Sequence, residues 1–124
     1  MAIKLTSRQQ AQLQWLQLLP PKFDRIFRVV EQLSTQQADD VQLRSLTRLL
    51  DELKAQASGL NIGALADTFG YMGMLLRRGG GHQLKVRGLR ELLVGAKINY
   101  EGALRSASEE IRVTGDEKEP MPSP

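Results

Sequence analysis

Three glycines spaced seven apart, Gly88, Gly95 and Gly102, interrupt what otherwise reads as one long amphipathic helix. In a helix interior each is less favourable than alanine by roughly 0.8–1.0 kcal/mol. Seven residues are close to two turns, so the three fall within about 40° of one another on a single stripe. The preceding segment has its own small stripe, Gly63, Ala66, Gly70 and Gly73, at spacings of three and four. Gly79-Gly80-Gly81 between the two reads as a reversal. Glycines placed this way let a second backbone come close. The pattern predicts a close-packed C-terminal helical hairpin whose small stripes meet each other or meet a partner chain.

The rest of the chain reads as helix throughout, with no strand alternation. Ser7 opens a first helix, with Gln10 at capping-box spacing and Ala11, Trp15 and Leu18 on its inward face. Pro20-Pro21 ends it and begins the next, because proline is excluded from a helix interior and tolerated in a first turn. Helix 2 then turns Phe23, Ile26, Phe27, Val30 and Leu33 inward, and Ser34 to Ala38 forms a polar link. Asp39 or Asp40 caps helix 3, with Leu43, Leu46, Leu50, Leu53 and Ala57 as its stripe and Gly59 as its end. Asn61 can cap helix 4, whose main stripe is Ile62, Leu65, Phe69, Met72 and Leu76. Helix 5 spans roughly 83–111, with Leu89, Leu93, Ala96, Tyr100, Ala103 and Ala107 inward. The expectation is an all-α compact bundle of about five helices forming one domain over 1–113. Residues 114–124 form an acidic, proline-rich tail expected to be disordered.

Helix 4 departs from the usual amphipathic pattern. Between Ile62 and Leu76 its only charge is Asp67, and its second side carries Ala64, Thr68, Tyr71 and Leu75. A helix that is apolar all round is buried, so helix 4 is either the central helix or is covered by another subunit. The second alternative makes Phe69, Met72 and Met74, with Gly63, Gly70 and Gly73, an interface.

The 124 residues contain no cysteine, which excludes disulfides and thiolate chemistry. The N-terminus turns polar at once, and no apolar run approaches the roughly 20 residues of a membrane span. A cytoplasmic protein that does not bind membranes is the expectation. One histidine, no cysteine and no spaced carboxylate cluster leave no metal ligand set, and no nucleophile elbow or phosphate loop is present. No cofactor and no catalysis are expected.

His82, Leu84 and Lys85 resemble a fragment of the H-x-L-K/R run around the phospho-accepting histidine of two-component phosphotransfer domains, which are also helical bundles. That resemblance would imply phosphotransfer through His82. The match covers four residues, and Val86 stands where a glycine normally follows the lysine. The alternative is a loop or cap histidine.

The first 108 residues carry fifteen Lys/Arg against nine Asp/Glu, and the last sixteen reverse the balance. Between residues 77 and 97, Arg77, Arg78, Lys85, Arg87, Arg90 and Lys97 face one acid, Glu91. Around a glycine turn and a helix start they would favour an anion, either an acidic protein or the backbone of RNA or single-stranded DNA. The aromatic residues that stack bases are missing from the cluster. The reading is a non-catalytic helical interaction subunit, an adaptor or assembly component, using helices 4 and 5 for a protein partner or for self-association. The alternative is a small helical subunit of a nucleoprotein complex that binds backbone without sequence specificity. Its architecture is similar to the helical small subunits of RNA-guided effector complexes.

Overall fold

The computed structural model describes residues 7–78 and 81–116, the last nine of these as backbone only. Residues 1–6, Gly79-Gly80 and the tail residues 117–124 lie outside the described residues. Five helical pieces follow in order: α1 (Ser7–Gln17), α2 (Leu19–Ser34), α3 (Asp40–Gly59), α4 (Gly63–Arg77) and α5 (His82–Asp116). They pack as an all-α bundle, and the described residues contain no strand.

α1 and α2 are one chain of helix broken at Leu18, whose N–H reaches back only three residues to Trp15 O at 3.1 Å. The prolines that follow cannot donate to the preceding turn, so the helix restarts with a new phase. That phase change corrects the expected face of α1. Leu16 and Leu19 are buried, while Leu18 is 62 % exposed. The inward side of α1 is instead partly polar: Gln9 is buried, and Gln12 Nε2 donates to Leu60 O at 2.6 Å. Ser7 is the first helical residue rather than the cap.

α2 buries Phe23, Ile26, Val30 and Leu33. Phe27 was expected beside them, but it lies about 100° round the helix from Ile26 and is 48 % exposed. α3 starts with a capping box: Asp39 Oδ1 accepts from the Gln42 N–H at 2.8 Å, and Gln42 Oε1 accepts from the Asp39 N–H at 3.0 Å. Leu46, Leu49, Leu50, Leu53 and Ala57 face the core.

The ends of α2 and α3 share one device. Gln36 and Asn61 take left-handed φ values of 60° and 62°. The next residue in each case bonds back across the end, Gln37 N–H to Gln32 O at 2.7 Å and Ile62 N–H to Ala57 O at 2.9 Å. This is the Schellman arrangement, which satisfies carbonyls that the helix leaves free. Asn61 therefore ends α3 rather than capping α4. Ile62 stands at the α4 N-cap with no side-chain bond.

α4 is held between α3 and α5, and α5 also packs against α1 and α2. Leu65, Ala66, Phe69 and Met72 are buried, with the Phe23 ring 6.3 Å from Phe69 and edge-on to Tyr100 at 5.6 Å. Phe69 and Met72, counted above among interface candidates, are thus core residues. Yet α4 is not apolar-buried all round: Asp67, Tyr71 and Met74 form an exposed strip. α5 continues to Asp116, past the helix end expected near residue 111 and the domain end expected at 113, because extending an existing helix needs no new nucleus.

Candidate interaction surface

The two glycine stripes do not meet. A Cβ placed on Gly88 would come 2.5 Å from Leu75 Cδ2, so here the absence of a side chain lets α4 seat a leucine against the α5 backbone. Among the described residues nothing lies within 4 Å of a Cβ placed on Gly95 or Gly102, nor on Gly63. On α4, the space over Gly70 is taken by the Lys54 stem at 3.4 Å, and that over Gly73 by Arg77 and Asp51. Gly70 and Gly73 thus make room for Lys54 and Asp51 of α3 and for Arg77 of α4 itself rather than for the backbone of α5. Among the described residues, glycine packing of the hairpin is confined to Gly88.

α4 and α5 run antiparallel, in a register marked by Leu75 over Gly88 and by Asn99 Nδ2 donating to Thr68 Oγ1 at 3.1 Å. Thr68 donates in turn to Ala64 O at 2.8 Å, so this polar contact between the helices is satisfied. Tyr71, midway between Thr68 and Leu75, comes level with Gly95. Around this level the surface is apolar without being covered. Val94 is 60 % exposed, Ile98 62 %, and Tyr71 and Met74 57 % each. Ile98 and Gly102 also line a cleft of about 530 Å³ between α5, α1 and the start of α4.

The six predicted cations do not form one patch. Arg77 Nη2 bonds Asp51 Oδ2 on α3 at 2.5 Å. Arg90 grips Glu31 on α2 with two bonds, Nε and Nη2 to the two carboxylate oxygens, at 2.9 and 2.8 Å. The Arg90 hydrogen bonds hold the Glu31 carboxyl below the ordinary glutamate range against the opposing desolvation, and the charge of Arg90 adds a smaller pull in the same direction. Lys85 and Arg87 stand about 200° apart around α5, Lys85 half-buried and Arg87 exposed. Lys97 is about 18 Å further along the helix than Lys85 and lines a cleft with Asp24 and Glu101. Arg78 ends α4 in extended conformation. The sequence reading missed Arg44 and Arg48, which lie one turn apart on α3 and line a groove with Arg77. Their i, i+4 spacing was the available signal. Asp40 and Asp51 line the same groove, and the charge there is largely balanced.

His82 is the first residue of α5, half-buried in a small cleft with Ser34, Gln83, Val86, Arg87 and Arg90. Its Nε2 is enclosed and has no hydrogen-bond partner. Among the described residues no group of three or more His, Cys, Asp or Glu is placed to hold a metal, and no helix is long and apolar enough to cross a membrane. No protein-family model, curated protein or solved structure matches the chain.

Proposed function

We propose that this chain is a non-catalytic helical interaction module, an adaptor or assembly component that docks through the outward face of α5 and the adjoining strip of α4. The observation that carries the reading is the company Gly95 and Gly102 keep. Both are unfavourable in a helix interior; both have open space above them, and Val94 and Ile98 stand exposed beside them. Among the described residues no packing accounts for either feature. A docked helix would account for both, since glycine admits a close backbone and the apolar side chains lose their water. The internal pairing of Arg77 and Arg90 favours this reading over a nucleic-acid backbone as the main ligand.

A photo-crosslinking residue at position 98, compared with one at exposed position 48, tests it in cells that express the chain. Capture of a protein from position 98 but not from position 48 supports the docking face. Equal or absent capture from the two positions overturns it.

A further inference from the structure

The outward face of α5 carries a more specific message, which rests on the docking reading above. Glu91, Ile98 and Arg105 are seven residues apart, so they form a nearly straight exposed stripe, acid then apolar then base. Reversed, the stripe reads base, apolar, acid. It is complementary to itself only when two copies run antiparallel. We infer that the occupant of this face is a second copy of the chain, with a two-fold axis passing through Ile98. Ile98 then meets Ile98, and Glu91 of each copy meets Arg105 of the other, twice. Val94 of one copy comes level with the open Gly102 of the other.

Three observations converge on that register. Neither Glu91 nor Arg105 has an ion-pair partner among the described residues, whereas Arg77 and Arg90 do. The axis residue lies at the middle of α5, which spans His82–Asp116. Pairing about Ile98 therefore sets residue 82 against residue 114, and the helices overlap over almost their whole length, about 48 Å. The parallel alternative sets Glu91 on Glu91 and Arg105 on Arg105, and like charges held together are destabilising.

The test uses charge reversal on the full chain, read by sedimentation velocity across a concentration series. Glu91→Arg turns the stripe all basic at its ends, and Arg105→Glu turns it all acidic. Each variant alone associates roughly ten-fold or more weakly than wild type, since two attractive contacts become repulsive. Mixing the two variants one to one restores association. So does the double variant Glu91→Arg/Arg105→Glu, whose stripe is again self-complementary. Circular dichroism of each single variant establishes that it remains folded.

Association unchanged by either reversal, or variants that stay apart when mixed, overturns the proposed register. A wild type that remains monomeric up to about 1 mM, the weak limit of specific binding, overturns self-association altogether. In that case a position-98 cross-link to a different protein leaves the docking face standing, and no cross-link removes both.

Discussion

Replacing Gly95 by alanine is the sharpest probe of how α5 is built. Among the described residues the added methyl meets nothing within 4 Å, so the expected intramolecular effect is helix propensity, a gain of roughly 0.8–1.0 kcal/mol. For a domain of this size that gain raises Tm by about 3–6 °C. Gly88→Ala begins with the same propensity gain. There the methyl arrives 2.5 Å from Leu75 Cδ2, and Leu75 must leave its rotamer, at about 0.5–1.5 kcal/mol. Gly88→Ala therefore nets close to zero, and the two variants differ by about 1 kcal/mol although both glycines sit on one stripe. Thermal melts followed by circular dichroism at about 1 µM keep association from contributing. Equal stabilisation by the two alanines would refute the Leu75 contact as a packing determinant. Destabilisation by Gly95→Ala under these conditions would refute the open site.

Other expectations follow from local geometry. Gln36 holds a left-handed φ of 60°, so Gln36→Gly stabilises by about 0.5–1 kcal/mol in denaturant melts; unchanged or lowered stability contradicts that conformation. The Glu31–Arg90 pair makes stability pH-dependent. The folded carboxyl titrates below its unfolded value, so its contribution is complete above the ordinary glutamate pKa and is lost as pH falls through the lower folded value. The Tm advantage of wild type over Glu31→Gln accordingly shrinks between about pH 5 and pH 3, and an advantage constant over that window contradicts the pair. Oligonucleotide anisotropy between about 50 and 200 mM salt should show no affinity beyond the non-specific range of about 10⁻⁴–10⁻⁶ M. Tighter binding with a log–log salt slope steeper than about −4 would mean that more than about four phosphates are neutralised, and would revive the nucleic-acid reading.

Much of the scaffold was legible because local rules governed it. The Asp39 cap, the leucine stripe of α3 and the core face of α5 follow from spacing and capping chemistry alone. The face of α1 was not, because the break at Leu18 resets the helical phase by an amount that spacing does not encode. Glycine spacing placed Gly88, Gly95 and Gly102 on one stripe correctly. It could not say that Leu75 would cover the first and nothing the other two, since that depends on the neighbouring helix. The cations were misjudged for a similar reason. Arg77 and Arg90 find carboxylates 26 and 59 residues away in sequence, and only the assembled bundle brings those partners together.

Cysteine cross-linking tests the central claim most directly, because the chain has no cysteine of its own. Under mild oxidation, Ile98→Cys should form a disulfide-linked dimer, its two sulfurs meeting at the two-fold axis. Glu91→Cys should not link to itself, since the register separates the two copies of residue 91 by about 21 Å along the helices. Yet Glu91→Cys mixed with Arg105→Cys should yield the mixed dimer. Absence of a dimer at position 98, or cross-linking of equal efficiency at positions 91, 98 and 105 alone, contradicts an antiparallel pairing of α5 about Ile98.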